Sequence, residues 1–308
     1  MVSPGGEVAV AAFLALAFGI AWLPFIAQIT AMAAVGPALM PVAPAIACIV
    51  VRRWVTREGF SDVGLRPRLR HWPIYLVALL WPVGAAVVTT LVTLTLGLAP
   101  TGYTVPWGAS SPSWSMLLLW TVLSVVVSPL ILGEELGWRG YLQVRLFPAR
   151  PLAAALATGL IWGVWHYPLI LSSGEPTSSI KLTLITLPVA TMTLSVFLGW
   201  IRSVTGTVWA TSLAHSSNNV TNDGLQRLGF SGRQDAILPD FAIVPCLVGE
   251  ALTWGMVIAA HALLSMQHQR SEGGTSGWPV PKESTSAARG QPTPPTRRAE
   301  RYPARKPR

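Results

Sequence analysis

Glu134, Glu135, Arg139, His166, His215 and Asn219 are polar residues in the stretches 130–142, 161–168 and 213–219, each part of a longer apolar run. An ionisable side chain inside a bilayer costs ~2.5 to 3.5 kcal/mol on insertion scales, so each one requires a partner or a purpose. Residues four apart share a helix face, which puts Glu135 beside Arg139, Trp162 beside His166 and His215 beside Asn219. The stretch Phe147-Pro148-Ala149-Arg150-Pro151 reads as a turn. A turn there brings Glu134 to the depth of residues 164–166, roughly 24 Å of helix from the tip. His215 follows its own turn near 202–204 by roughly 17 Å, which leaves ~7 Å for helix tilt to absorb.

Two glutamates, two histidines and an amide in an apolar bundle suit the hydrolysis of a peptide bond. A carboxylate shielded from water can act as a general base near neutral pH, and a nearby histidine helps it hold and deprotonate water. A second histidine and an amide can stabilise the oxyanion formed when that water attacks a carbonyl. Glu134, His166 and His215 are equally acceptable zinc ligands, with water in the open fourth position, so the residues alone leave zinc as a cofactor open. Adjacent glutamates project about 100° apart on a helix and do not easily face one ion, which favours water activation without obligatory metal. HExxH and GxSxG are absent, and neither Cys48 nor Cys246 sits in a CxxC pair.

These side chains need helices to position them, and the composition points to membrane helices. Of the 308 residues 51% are hydrophobic and 11% charged, against about 25% charged in a soluble domain; mean hydropathy is +0.49. Apolar runs near 8–29, 34–51, 72–98, 114–146, 152–171, 182–201, 204–221 and 241–263 predict an all-α polytopic membrane protein of eight spans. The loop after the second span holds six arginines, whereas the loops on the opposite side hold only Lys181, Arg227 and Arg233, so both termini are expected in the cytoplasm. Residues 1–263 form the expected bundle. The remainder, 264–308, holds nine Lys and Arg, three acids and seven prolines and is expected to be a disordered basic tail in contact with water or lipid headgroups. That tail accounts for most of the net charge of +9, so no nucleic-acid partner is expected.

Three motifs carry a resemblance. Glu134-Glu135-Leu136-Gly137-Trp138-Arg139 matches EExxxR, and His215-Ser216-Ser217-Asn218-Asn219 matches HxxxN. Trp162-Gly163-Val164-Trp165-His166 matches FxxxH with Trp in place of Phe. In this order they resemble the CAAX prenyl protease and bacteriocin-processing (CPBP or Abi) family of intramembrane proteases, often called metalloproteases. The resemblance spans about 114–222 and the eight-helix layout. It implies that Glu134 and His166 activate water, that His215 and Asn219 form the oxyanion site, and that Glu135 and Arg139 hold the first motif in place. The implied substrate is a membrane-associated peptide or protein; related bacterial proteins act in peptide processing and bacteriocin self-immunity. Nineteen Arg against three Lys suggests a high-GC bacterial genome and hence a location in the cell membrane.

Simpler roles compete for the same residues. Glu135 and Arg139 suit an ion pair at the membrane edge, and His215 and Asn219 suit interhelical hydrogen bonding. The alternative function is a proton- or metal-ion-coupled transporter using the same buried Glu and His residues as a relay. No internal repeat supports it. Glu250 is a further acid in an apolar run without a motif.

Overall fold

The computed structural model describes residues 4–26, 36–97, 114–227, 248–249 and 251–262, and all of these belong to one compact unit, Met1–Ala262. The tail, Arg233, Cys246 and Glu250 lie outside the described residues. Among the described residues every regular element is helical, with no strand. The helices are α1 (Pro4–Ile26), α2 (Gly36–Val55), α3 (Leu69–Thr95), α4 (Trp114–Gly137), α5 (Pro151–Trp165), α6 (Thr177–Thr205), α7 (Val208–Arg227) and α8 (Ala251–Ala262). The first six are long and apolar enough to cross a membrane, α4 counting from Leu118 through a π-helical extension to Leu142 and α5 through a short extension to Leu171.

The seventh expected span exists as α7, but its Ser, Thr, Asn and His residues leave it outside that apolar set. Its serines face protein instead. Ser216 Oγ donates to the Ser124 carbonyl at 2.8 Å, Ser212 Oγ to that of Ser128, and Ser217 Oγ to that of Leu79. In return the indole of Trp81 donates to the Ala214 carbonyl at 3.1 Å. Small polar side chains let backbones approach closely and hydrogen-bond across the interface. They fasten α7 to α3 and α4, its two principal packing partners. On α4 the opposite stripe, Leu118, Val122, Val126 and Leu130, is exposed, as a lipid-facing surface requires.

Close approach positions the first motif. Gly137 lies against α2, and a Cβ there would come within 2.8 Å of the carbonyl carbon and oxygen of Pro44. Beyond Gly137, α4 widens into a π-helical turn, Trp138–Leu142, in which Gln143 N–H donates to the Trp138 carbonyl at 2.8 Å. Such bulges recur at functional sites. The chain reverses at 147–150 as expected, with Arg150 N–H donating to the Phe147 carbonyl, and Pro151 opens α5.

The start of α7 is held from outside. Gly206 ends α6 at φ +67°, where a side chain would be strained and would meet Arg68. Val208 N–H and Thr207 Oγ1 both donate to the Gly64 carbonyl, at 3.0 and 2.9 Å, and the Trp209 indole donates to that of Leu65 at 2.7 Å. The loop carrying those carbonyls is anchored by Arg52, which is 1% exposed and pairs with Asp62 and Glu58.

Candidate active site

Glu134 and Glu135 leave α4 toward different neighbours, as two adjacent helical residues must. Glu135 is fully buried, and its Oε1 accepts from Arg139 Nη1 at 2.8 Å and from His215 Nδ1–H on α7 at 2.9 Å. Its Oε2 has no hydrogen-bond partner. Glu134, also buried, turns to α5, where the Trp162 indole N–H donates to its Oε2 at 2.9 Å. One helix turn therefore joins its two partners with separate carboxylates.

His166 stands at a break in its helix. Pro168 has no N–H to continue the α-helical ladder, and His166 N–H instead donates to the Gly163 carbonyl at 3.2 Å, one residue short of the α-helical partner. The carbonyl so released, that of Trp162, receives the imidazole Nδ1–H at 2.9 Å. A carbonyl can only accept, so Nδ1 carries the proton and Nε2 keeps its lone pair. For His215 the hydrogen bond to Glu135 places a proton on Nδ1 in the same way.

Trp162 is the hub of this arrangement. Its ring lies 4.8 Å from that of His215 and 5.7 Å from that of His166, centroid to centroid, and the Arg139 guanidinium carbon sits 4.5 Å from its centroid. The FxxxH-like motif marks Trp162 only as an aromatic; its functional signal is the N–H that Phe lacks. The depth argument is also refined. Glu134 hydrogen-bonds Trp162, one turn from His166 and within electrostatic reach of it, and His215 reaches the same cluster despite its shorter run from its own turn.

The structure thus brings together Glu134, Glu135, Arg139, His166 and His215. Asn219, one turn beyond His215, is exposed and accepts from the Asn218 amide at 3.5 Å. A zinc ion fits this set poorly. Among the described residues no three His, Cys, Asp or Glu side chains converge as ligands would. Glu135 is committed to a guanidinium, whose charge also opposes a nearby dication.

Residues 112–221, which contain all three motifs, match the family model described as Type II CAAX prenyl endopeptidase Rce1-like. No curated protein matches the chain.

Proposed function

With residues 112–221 a domain of the type II CAAX prenyl endopeptidase family, we propose that this protein is an intramembrane endopeptidase that hydrolyses a peptide bond of a membrane-associated peptide or protein with water activated by Glu134 and His166. The observation that carries this reading is the convergence of one carboxylate and two imidazoles on the Trp162 ring.

Glu134 Oε2 is held by the indole, so Oε1 is the oxygen that takes the proton of the attacking water. His166 Nε2, with its lone pair, accepts the second water hydrogen and orients the oxygen toward the scissile carbonyl carbon. As the C–O bond forms, the carbonyl π electrons move to oxygen. His215 and Asn219 form the oxyanion site: the Asn219 amide donates to that oxygen, and His215, held by Glu135 through Nδ1–H, stands beside it. Collapse of the tetrahedral intermediate breaks the C–N bond, and Glu134 returns its proton to the leaving nitrogen. Water is thereby divided between a new carboxyl and a new amine, with no step through a metal. The arginines of the 52–70 loop support a cytoplasmic location for both termini.

The test uses the full-length protein in detergent with a farnesylated CAAX peptide and a library of peptides carrying a membrane-spanning segment, read by mass spectrometry. Glu134→Ala and His166→Ala should each lower cleavage by about 10²- to 10⁴-fold, the range of general acid–base catalysis. Full activity in either variant would overturn the assignment. Stoichiometric zinc whose removal abolishes cleavage would overturn the metal-free mechanism. Proton flux in liposomes that depends on both residues, without cleavage, would replace the protease by a transporter.

A further inference from the structure

Trp162 is 2% exposed and touches four functional groups at once. Its indole N–H holds Glu134, its backbone carbonyl holds His166 Nδ1, and its ring packs against His215 and Arg139. The two groups assigned to water therefore take their orientation from opposite ends of one residue. The N–H engages Oε2 and leaves Oε1 open; the C=O fixes the histidine proton on Nδ1 and leaves Nε2 basic. The free oxygen and the free nitrogen are consequently set relative to each other by the internal geometry of a single tryptophan.

That tryptophan is itself clamped. On the same helix, a Cβ at Gly163 would come within 2.6 Å of Pro188 Cα, so α5 is seated against α6 at contact distance. Three residues along from Trp162, the Trp165 indole donates to the Ala17 carbonyl of α1 at 3.1 Å, and the Trp22 indole of α1 donates back to the Trp165 carbonyl at 3.0 Å. Translation and rotation of α5 are thus restrained by two neighbours, and the indole N–H arrives at Glu134 on a rigid support. A phenylalanine here would preserve the ring contacts and lose the indole donor to Glu134.

Resting on the protease reading above, we propose that Trp162 is a positioning residue for the hydrolysis, its indole N–H selecting the Glu134 oxygen and orientation that attack requires. It touches neither substrate nor water in this role, and it acts through Glu134. Loss of the N–H should leave substrate binding intact and slow the chemical step, because misplacing a reacting group by about 1 Å can cost about a hundredfold.

The experiment replaces Trp162 by β-(3-benzothienyl)alanine, in which sulfur takes the place of the N–H at nearly constant shape, alongside Trp162→Phe and Glu134→Ala, with the peptides named above. The expected result is a fall in kcat of about tenfold to a hundredfold for the benzothienyl protein, with KM within about twofold of wild type and thermal stability unchanged. Trp162→Phe should show the same kcat loss; if it fails to fold, the isosteric replacement alone decides. Wild-type kcat in the benzothienyl protein, with Glu134→Ala inactive, would overturn the positioning role and leave the protease reading standing. Cleavage that survives Glu134→Ala would overturn that reading, and this inference with it. A loss confined to KM, or a kcat loss that merely follows lost stability, would reduce Trp162 to packing.

Discussion

Arg139→Met tests the electrostatic design of the site most directly. Arg139 and Glu135 are both fully buried and paired at 2.8 Å. Arg139 Nε and Nη2 make no hydrogen bond, so deleting them breaks no further hydrogen bond and costs only the contact with the Trp162 ring. The penalty falls on Glu135, left as a buried carboxylate with His215 as its remaining partner. Breaking a buried ion pair from one side costs about 3–5 kcal/mol. At about 2–4 °C per kcal/mol for a unit of this size, the melting temperature should fall by roughly 10 °C. Adding Glu135→Gln removes the stranded charge while keeping an acceptor for His215 Nδ1–H. It should restore about 1–3 kcal/mol, because the guanidinium contact with Trp162, worth about 2 kcal/mol when desolvated, stays lost in both variants. The assay is thermal unfolding of the four proteins of the cycle in one detergent, followed by near-UV circular dichroism. A double variant no more stable than Arg139→Met would refute the reasoning, since the cost would then lie in packing rather than in the orphaned carboxylate.

Two further outcomes are expected. Burial pushes the Asp62 carboxyl up, but the hydrogen bond and charge of Arg52, its own backbone and the charge of Arg145 outweigh this and hold it below the usual carboxylate range. A carboxyl depressed by folding contributes its full stability above the unfolded pKa, and that contribution is lost as pH falls through the folded value. Hydrogen-exchange protection of residues 57–71, corrected for intrinsic rates, should therefore hold from neutral pH down to the ordinary carboxylate range, decline progressively from there, and be lost as pH falls through the depressed folded value. Asp62→Asn should lower it already at neutral pH; protection that is insensitive to both would show that Arg52 does not hold the loop. Gly137→Ala places a methyl group against Pro44 and should cost about 1–3 kcal/mol of overpacking. Unchanged thermal stability would mean that α2 and α4 are free to separate.

Periodicity and apolar run length located the helices because lipid-facing surface must be apolar whatever the function, as the exposed Leu118, Val122, Val126 and Leu130 stripe shows. Run length was less informative for α7, whose serines answer to the backbones of α3 and α4 rather than to lipid. The spacing of four revealed that Glu135 belongs with Arg139 and that Trp162 shares a face with His166, since helical geometry is local. It could not reveal that His215 would bond Glu135, or that Trp162 would bond Glu134, because those contacts depend on how α5 and α7 dock onto α4. The π-helical turn at 138–142 likewise carries no periodic signature, arising where Gly137 packs on α2 and the ladder shifts to Gln143.

The hydrogen bonds from Val208 and Thr207 to Gly64, and from Trp209 to Leu65, bear on the autonomy of the motif-bearing segment. Residues 112–221 contain the three motifs, yet the first turn of the helix that carries His215 is held by carbonyls almost 150 positions earlier in the chain. A truncation that begins at 112 would strip α7 of those acceptors and expose the α4 surface where Gly137 meets Pro44. The unit that holds the motifs in place is therefore larger than the motif-bearing segment. Any transplant of the site onto another scaffold must carry the 59–65 stretch, or a substitute for its two carbonyls, along with the motifs.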